Sequence, residues 1–363
     1  VALNAVKLTT LAARLALTVA LVLHHPGPSS IAIAFLSLTL VECLAMTAIV
    51  RSKYPDLKLR LSMFNWTTVR RIAALSTWAF LIGIGWQLSF SIDALVIGSF
   101  IGEGAVTTFG VANALIIYLM NFVLGIAAVA LPLASSLHAR QDNDELCNVY
   151  LKWTKITVLL TWIGCGLLAV FGGDFVALWV GPQYGEPAGQ VLIVLAASYL
   201  FFLPMRGMAL PLLVAMGKAG WATWTVLAAG LLNLLLSMVL VVPMGLVGVA
   251  VGTAIPNILM AGALLILVCR ELGIATMRAV AEVFARAVPG FVVVVALMVA
   301  MRMAIQPSSY SELLFVVILS MLAYGTVWVF YVLKGDPHLD SFETWERYAV
   351  PMLRRKRANS VEP

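Results

Sequence analysis

The sequence predicts an all-α fold, a polytopic bundle of transmembrane helices, and three observations point to it. Hydrophobic residues make up 62% of the 363 and charged residues 11%, whereas a soluble domain is about half apolar and about a quarter charged. Mean hydropathy is +1.01. The apolar residues fall into continuous runs of about 20, the helix length that crosses a hydrocarbon layer of about 30 Å. These runs lack the alternation of barrel strands, and only helices or closed barrels satisfy every backbone group in lipid.

Ten runs of roughly this length are expected to span. They cover residues 8–23, 31–50, 72–97, 105–136, 153–171, 188–216, 222–241, 246–268, 287–304 and 313–333. Lys and Arg on alternate connections set their direction, because cytoplasmic loops retain these residues. One set of connections carries Arg51, Lys53, Lys58, Arg60, Arg70 and Arg71, then Arg140, Lys152 and Lys155, then Lys218, then Arg270, Arg278 and Arg286. The tail adds Lys334, Arg347 and the RRKR cluster at 354–357. The other set, including HHPGPSS, FIGEGA, GGDFVALWVGPQYGEP, VVPMG and QPSSYSE, has neither residue. Both termini are therefore expected in the cytoplasm. The net charge of +6 serves topology rather than a nucleic-acid partner. Cys43, Cys147, Cys165 and Cys269 show no CxxC spacing, and free thiols with no metal are expected.

Taken in order, the spans hold few ionisable groups, each costing about 2.5–3.5 kcal/mol at bilayer depth and so pointing to water or a partner. Arg14, about two turns into the first span, can snorkel to the cytoplasmic surface. Glu42, near the middle of the second, is either a carrier of a coupling proton or a buried, hydrogen-bonded acid. On the third span Trp86, Ser89 and Asp93 share one helical face. Asp93 lies roughly 8 Å from the outer end. It reads either as an interfacial acid reaching outside water or as part of a cavity or ion-coupling site, and a helix bordering an aqueous vestibule explains it best.

On the fourth span Asn113 and Asn121 share a face with Gly110 and Gly125. Close interhelical contact is the leading reading and substrate contact the other. Arg206 on the sixth span sits between Pro204 and Pro211, which should kink the helix. It is some 18 Å from the boundary at Lys218, too deep for an easy snorkel. A guanidinium there suits a diphosphate through paired hydrogen bonds, the alternative being a structural pair with Asp93 or Glu42. Gly230, Asn233 and Ser237 on the seventh span, and Gly248 and Gly252 on the eighth, read as helix-packing positions. Arg302 should snorkel outward from the ninth, and Trp179 and Tyr184 read as interfacial aromatics.

The seventh and eighth spans repeat the outline of the first two at an offset of roughly 215 residues, which matches Glu42 to Asn257. Equivalent lobes then assign 1–50 to the last two helices of an N-terminal lobe and 51–71 to a basic linker. Residues 72–268 form a complete six-helix lobe, 269–286 a cytoplasmic connection, 287–333 two additional helices and 334–363 a basic tail. About 145 residues would precede Val1 in a parent of about 500 with about fourteen spans.

Four stretches carry a family resemblance: DALVIGSFIGEGAVTTFGVANAL, LPLASSLHARQDNDEL, ALWVGPQYGEPAGQVLIVLAASY and AMGKAGWATWTVLAAGLLNLLLSMVLVVPMGLVGVAVGTAI. They resemble the polysaccharide flippases of the MOP superfamily, Wzx-type O-antigen and oligosaccharide translocases related to the lipid II flippase and to MATE exporters. The resemblance covers most of residues 72–272, and its patterns are diffuse. Where the family usually has tyrosine after a Gly-Val turn, this chain has Phe109.

The resemblance implies a bundle of two six-helix lobes, the first incomplete, plus two C-terminal helices. It implies a multi-pass transporter of a bacterial inner membrane. The cargo would be a polyprenyl-diphosphate-linked oligosaccharide, an O-antigen, capsule or exopolysaccharide repeat unit, moved from the cytoplasmic to the outer leaflet by alternating access. The partners implied are that lipid-linked sugar, the bilayer, H+ or Na+ as coupling ion, and other polysaccharide-assembly proteins.

No Walker A, HExxH, GxSxG or Cys/His metal spacing occurs, so no cofactor and no enzymatic activity are expected. The rivals are a MATE-like cation-coupled exporter, a membrane-embedded glycosyltransferase or polymerase, and a remnant without transport. Against the enzyme, the outer connections are short and their acids, Glu103, Asp174, Glu186 and Glu312, are scattered.

Overall fold

The structure, a computed structural model, describes residues 2–25, 27–53, 65–334, 336 and 338–339. Lys58, Arg60, Arg347 and the cluster at 354–357 lie outside them. Every regular element among the described residues is helical, and nine helical stretches are long and apolar enough to cross a membrane. The chain divides into two compact units, Val1–Ile72 and Ala73–Pro363.

The first unit contains α1 (Ala2–His24) and α2 (Pro28–Lys53), packed as a hairpin. The Ser30 hydroxyl donates to the His25 carbonyl at 2.6 Å and closes the turn between them. Deeper in the hairpin Arg14 meets α2. Its guanidinium lies 3.6 Å from the Glu42 carboxylate, donates to Thr39 at 3.4 Å and sits over the Phe35 ring. Beside the expected snorkel, the structure thus gives Arg14 a carboxylate on the neighbouring helix of the hairpin.

The division between the units falls within α3 (Trp66–Phe90). A turn at Ser91, still right-handed (φ −110, ψ −17), joins α3 to α4 (Ile92–Phe100), and the third expected span runs on through it. The fourth likewise runs through α5 (Glu103–Ala127), a 3-10 turn at Ala128–Ala130 and α6 (Leu131–Ala139). Pro132 sits in the first turn of α6, where its missing N–H costs nothing.

Next come α7 (Asn143–Trp179) and α8 (Pro182–Ala215). Asp142 caps α7 by accepting from the Glu145 N–H at 3.2 Å, and Asp144 and Glu145 place negative charge in its first turn. These two helices form the centre of the unit. Trp162 of α7 is buried and donates to the Leu200 carbonyl of α8 at 2.9 Å. Where the helices cross, a Cβ on Gly173 would come 2.9 Å from the Gly185 carbonyl oxygen. Without a hydrophobic force between helices in lipid, such close contacts and interhelical hydrogen bonds supply the cohesion.

The seventh and eighth expected spans are one stretch, α9 (Ala219–Leu272), which reverses at Gly245 (φ 58, ψ −135). That backbone geometry is open to glycine and strained for other residues. The two arms press together: a Cβ on Gly252 would fall within 2.8 Å of Ser237, and one on Gly248 would meet the Leu240 carbonyl. The Gly248/Gly252 pair is thus spent inside its own hairpin.

The chain ends its described course with α10 (Thr276–Phe284), α11 (Ala287–Ile305) and α12 (Tyr310–Val327), the last followed by a π turn at Trp328–Val332. Tyr324 and Tyr310 donate to the Leu159 and Leu178 carbonyls of α7, each at 2.8 Å. Arg302 does not simply snorkel. It forms a two-pronged pair with Asp174 at 2.7 and 3.0 Å, because α7 ends beside α11 with a carboxylate at the same height.

Candidate functional site

Arg206 lies on α8 between Pro204 and Pro211, neither of which can donate a backbone hydrogen bond. Its guanidinium carbon is 3.7 Å from the centre of the Trp86 ring, with Phe90 at 5.2 Å and Phe202 at 5.9 Å. Nη1 contacts the Met120 sulfur at 2.6 Å. The expected alternative, a pair with Asp93 or Glu42, is not what forms. Asp93 is held by Thr253 and Glu42 faces Arg14. Among the described residues no carboxylate forms an ion pair with Arg206.

A cavity of about 260 Å³ opens beside this guanidinium between α5, α6, α7 and α8. Among the described residues Arg206 is its one charged lining residue, and Trp86 shares the wall. A guanidinium carries five N–H donors in a flat fork. With one face on an indole and one nitrogen on a thioether, most of that donor capacity is left for an anion.

Asp93 forms a second, separate cluster. It is 3% exposed, which corrects the expectation of an acid bordering a vestibule: the carboxylate meets Thr253 of α9. Oδ2 accepts from the Thr253 hydroxyl at 3.1 Å, and Oδ1 is buried with no hydrogen-bond partner among the described residues. Asn233 donates to the Ser89 carbonyl at 3.0 Å and to Thr253 at 3.3 Å, and accepts from Ser237 at 3.0 Å. The Ser89 hydroxyl donates back to Gly85 at 2.9 Å. Gly230 admits this approach, since a Cβ there would meet the Gly85 carbonyl at 2.7 Å. The cluster thus gathers one half-satisfied carboxylate and several neutral oxygens from α3, α4 and both arms of α9.

The structure therefore divides the predicted third-span face, giving Trp86 to Arg206 and Ser89 with Asp93 to α9. The face of α5 does not pack as the leading reading expected. A Cβ at Gly110 or Gly125 would meet no described atom within 4 Å, Asn113 is half-buried and Asn121 is exposed. This stripe stays open because α7 and α8 occupy the opposite side of the helix, where Ala112, Ile116 and Val123 are buried. Trp179 is exposed and Tyr184 half-buried.

Two features escaped the sequence reading. Lys155 counts there as a topology marker, yet it is buried and bound to both oxygens of Asp336 at 2.6 and 2.8 Å. Thr253, partner of Asp93, lies in an apolar Gly-rich run, and only helical spacing from Gly252 and Asn257 could have drawn notice to it.

Residues 2–188 match the family described as polysaccharide biosynthesis protein. Over 214 residues the chain is 23% identical to the uncharacterized membrane protein EpsK of Bacillus subtilis strain 168, a match covering 56% of this chain and 41% of that protein. Over 203 residues it is 24% identical to the probable low-salt glycan biosynthesis flippase Agl15 of Haloferax volcanii, with 56% and 41% covered. The fold is similar to that of the lipid II flippase MurJ in an inward closed conformation, with a TM-score of 0.66 and 15% identity, over 89% of this chain and 66% of that one. The chain thus matches about two fifths of the length of these curated relatives.

Proposed function

Because this chain belongs to the polysaccharide biosynthesis protein family, we propose that it acts in moving a polyprenyl-diphosphate-linked oligosaccharide from the cytoplasmic to the outer leaflet. The observation that carries this reading is the family match over residues 2–188, to which a relative named as a probable glycan flippase adds support. The chain is a multi-pass membrane protein. It sits, in this reading, in a bacterial inner membrane, and the Lys/Arg bias of its connections supports cytoplasmic termini. In this reading the hairpin of α1 and α2 closes one lobe, α3 to α9 form the second, and α11 and α12 are an added pair.

Arg206 is the anchor for the diphosphate. A guanidinium without a carboxylate, backed by an indole and facing a cavity, can exchange its solvation for two phosphate oxygens in a bidentate contact. Trp86 holds the fork flat. Half-buried Asn113 and exposed Asn121 offer amides to the sugar as it passes. The chemistry is transport rather than bond making or breaking.

The work is drawn from a cation gradient through the cluster at Asp93. Its residues fit a small monovalent cation or a proton: a buried carboxylate oxygen without a partner, the hydroxyls of Thr253 and Ser237, the Asn233 amide oxygen and the Ser89 carbonyl. Cations in transporters are held by carbonyl and carboxylate oxygens, and here a turn at Ser91 sits between the Ser89 carbonyl and the Asp93 carboxylate. Occupation would tie α3 and α4 to both arms of α9.

A strain deleted for the gene tests the reading. It should accumulate lipid-linked oligosaccharide in the inner leaflet and lose surface polysaccharide. The native gene should reverse both defects, and an Arg206→Ala version should not. Normal surface polysaccharide in the deletion strain would refute the proposal.

A further inference from the structure

We infer that the cavity beside Arg206 is a subsite for the first carbons of a long hydrocarbon chain esterified to the phosphate that Arg206 holds. This rests on the transporter reading above and adds what the site recognises: the lipid carrier's chain as well as its charge. Two observations combine. The guanidinium has a covered face and one nitrogen on Met120, while its remaining donors have no carboxylate to meet. Beside it the lining is otherwise almost wholly apolar, with Leu124, Ala128 and Leu131 from α5 through α6, Val149 from α7, and Leu210 and Pro211 from α8.

Each half alone would suit a different ligand. Inorganic diphosphate would be served by a polar nest of several donors, and a neutral lipid would have no use for a buried cation that costs energy to keep. One cation against an apolar wall fits a molecule whose charge is bonded directly to hydrocarbon. Size limits the occupant further. At about 260 Å³ the space falls below the range of about 300–1,000 Å³ that encloses drug-sized ligands, so it admits the head of a chain and neither the rest of it nor an oligosaccharide. The remainder leaves over the exposed edge at Ala128, Val129 and Leu131, which continues the apolar surface. Ala127, Ala128 and Ala134 put small side chains on the lining, and Gly207 lets α8 pack close to Ala127, where a Cβ would come to 3.3 Å.

A membrane phospholipid and a polyprenyl diphosphate share this chemistry, and binding to the purified protein in detergent separates them. The probes are inorganic pyrophosphate, farnesyl diphosphate, undecaprenyl diphosphate and phosphatidylglycerol. Two buried methylenes already supply about tenfold, so farnesyl diphosphate should bind at least about tenfold tighter than pyrophosphate. Undecaprenyl diphosphate should add little to that, and phosphatidylglycerol should compete weakly.

Ala128→Phe, which fills the cavity from its exposed edge, should erase the advantage of farnesyl diphosphate while leaving pyrophosphate binding in place. Ala134→Phe should do the same from the buried side. Arg206→Ala should weaken both ligands about ten- to a hundredfold. Unchanged farnesyl diphosphate affinity in both phenylalanine variants would overturn the subsite while leaving Arg206 as the anchor. Phosphatidylglycerol binding tighter than farnesyl diphosphate would overturn its assignment to the carrier. Pyrophosphate affinity unchanged in Arg206→Ala would count against the anchor itself.

Discussion

Asp93 on α4 and Thr253 on the second arm of α9 are joined by a 3.1 Å hydrogen bond, and the carboxylate oxygen not engaged by Thr253 is buried without a partner among the described residues. If that oxygen holds the driving cation, an isosteric amide removes the charge and keeps the packing. Asp93→Asn should therefore abolish stimulation of transport by whichever gradient, Na+ or H+, drives the native protein. Thr253→Val should weaken it. The measurement is uptake into proteoliposomes under each gradient imposed separately. Undiminished stimulation in Asp93→Asn would remove the cluster from the coupling mechanism.

Lys155 and Asp336 are buried and bonded at 2.6 and 2.8 Å, and Asp336 also accepts from the His338 and Leu339 N–H groups. Removing one partner of a buried pair strands the other charge and costs about 3–5 kcal/mol, whereas replacing both by apolar groups is often nearly neutral. Lys155→Met should lower the thermal midpoint in detergent sharply, and Lys155→Met with Asp336→Leu should recover most of the loss. Equal losses for the single and double variants would mean that the pair is not what Lys155 contributes.

Arg302 and Asp174 offer the contrast. Their side chains are 44% and 22% exposed, against 5% and 10% for the buried pair, and exposed ion pairs contribute about 0–1 kcal/mol. Arg302→Gln should shift the thermal midpoint little. A loss as large as that of Lys155→Met would show that this end of α11 is held mainly by charge.

Gly245 reverses α9 at φ 58 and ψ −135, and backbone strain of this kind costs about 1–3 kcal/mol in other residues. Gly245→Ala should destabilise by that amount. Gly252→Val should cost more, since its side chain would run into Ser237 on the facing arm. Thermal unfolding of both variants checks the order. Equal stability to the native protein in either would contradict the tight hairpin.

Much of the architecture is written in one-dimensional terms. Apolar run length fixes where helices lie in a bilayer, and Gly230, Gly248 and Gly252 lie where backbones meet in the fold. The departures come where partners are chosen in three dimensions. Arg14 and Glu42 sit 28 positions apart on two helices, and nothing in either span reveals that they face one another. Arg206 has carboxylates elsewhere in the chain to choose from and stacks on Trp86 of α3 instead, a choice that depends on how α3 and α8 pack. Lys155 looks like any cytoplasmic cation until the chain after α12 returns to cover it. The stripe at Asn113 and Asn121 shows the opposite limit: helical spacing revealed a shared face, but which neighbour would leave it open depended on how α5 docks on α7 and α8.

The most direct measurement reconstitutes the product of the native gene in liposomes and follows a polyprenyl-diphosphate-linked oligosaccharide from one leaflet to the other, read by its accessibility to a glycan-cleaving enzyme added outside. Transfer that depends on the protein and falls at least about tenfold in Arg206→Ala is the expected result. Leaflet exchange no faster than in empty liposomes, or identical rates for native protein and Arg206→Ala, would contradict it.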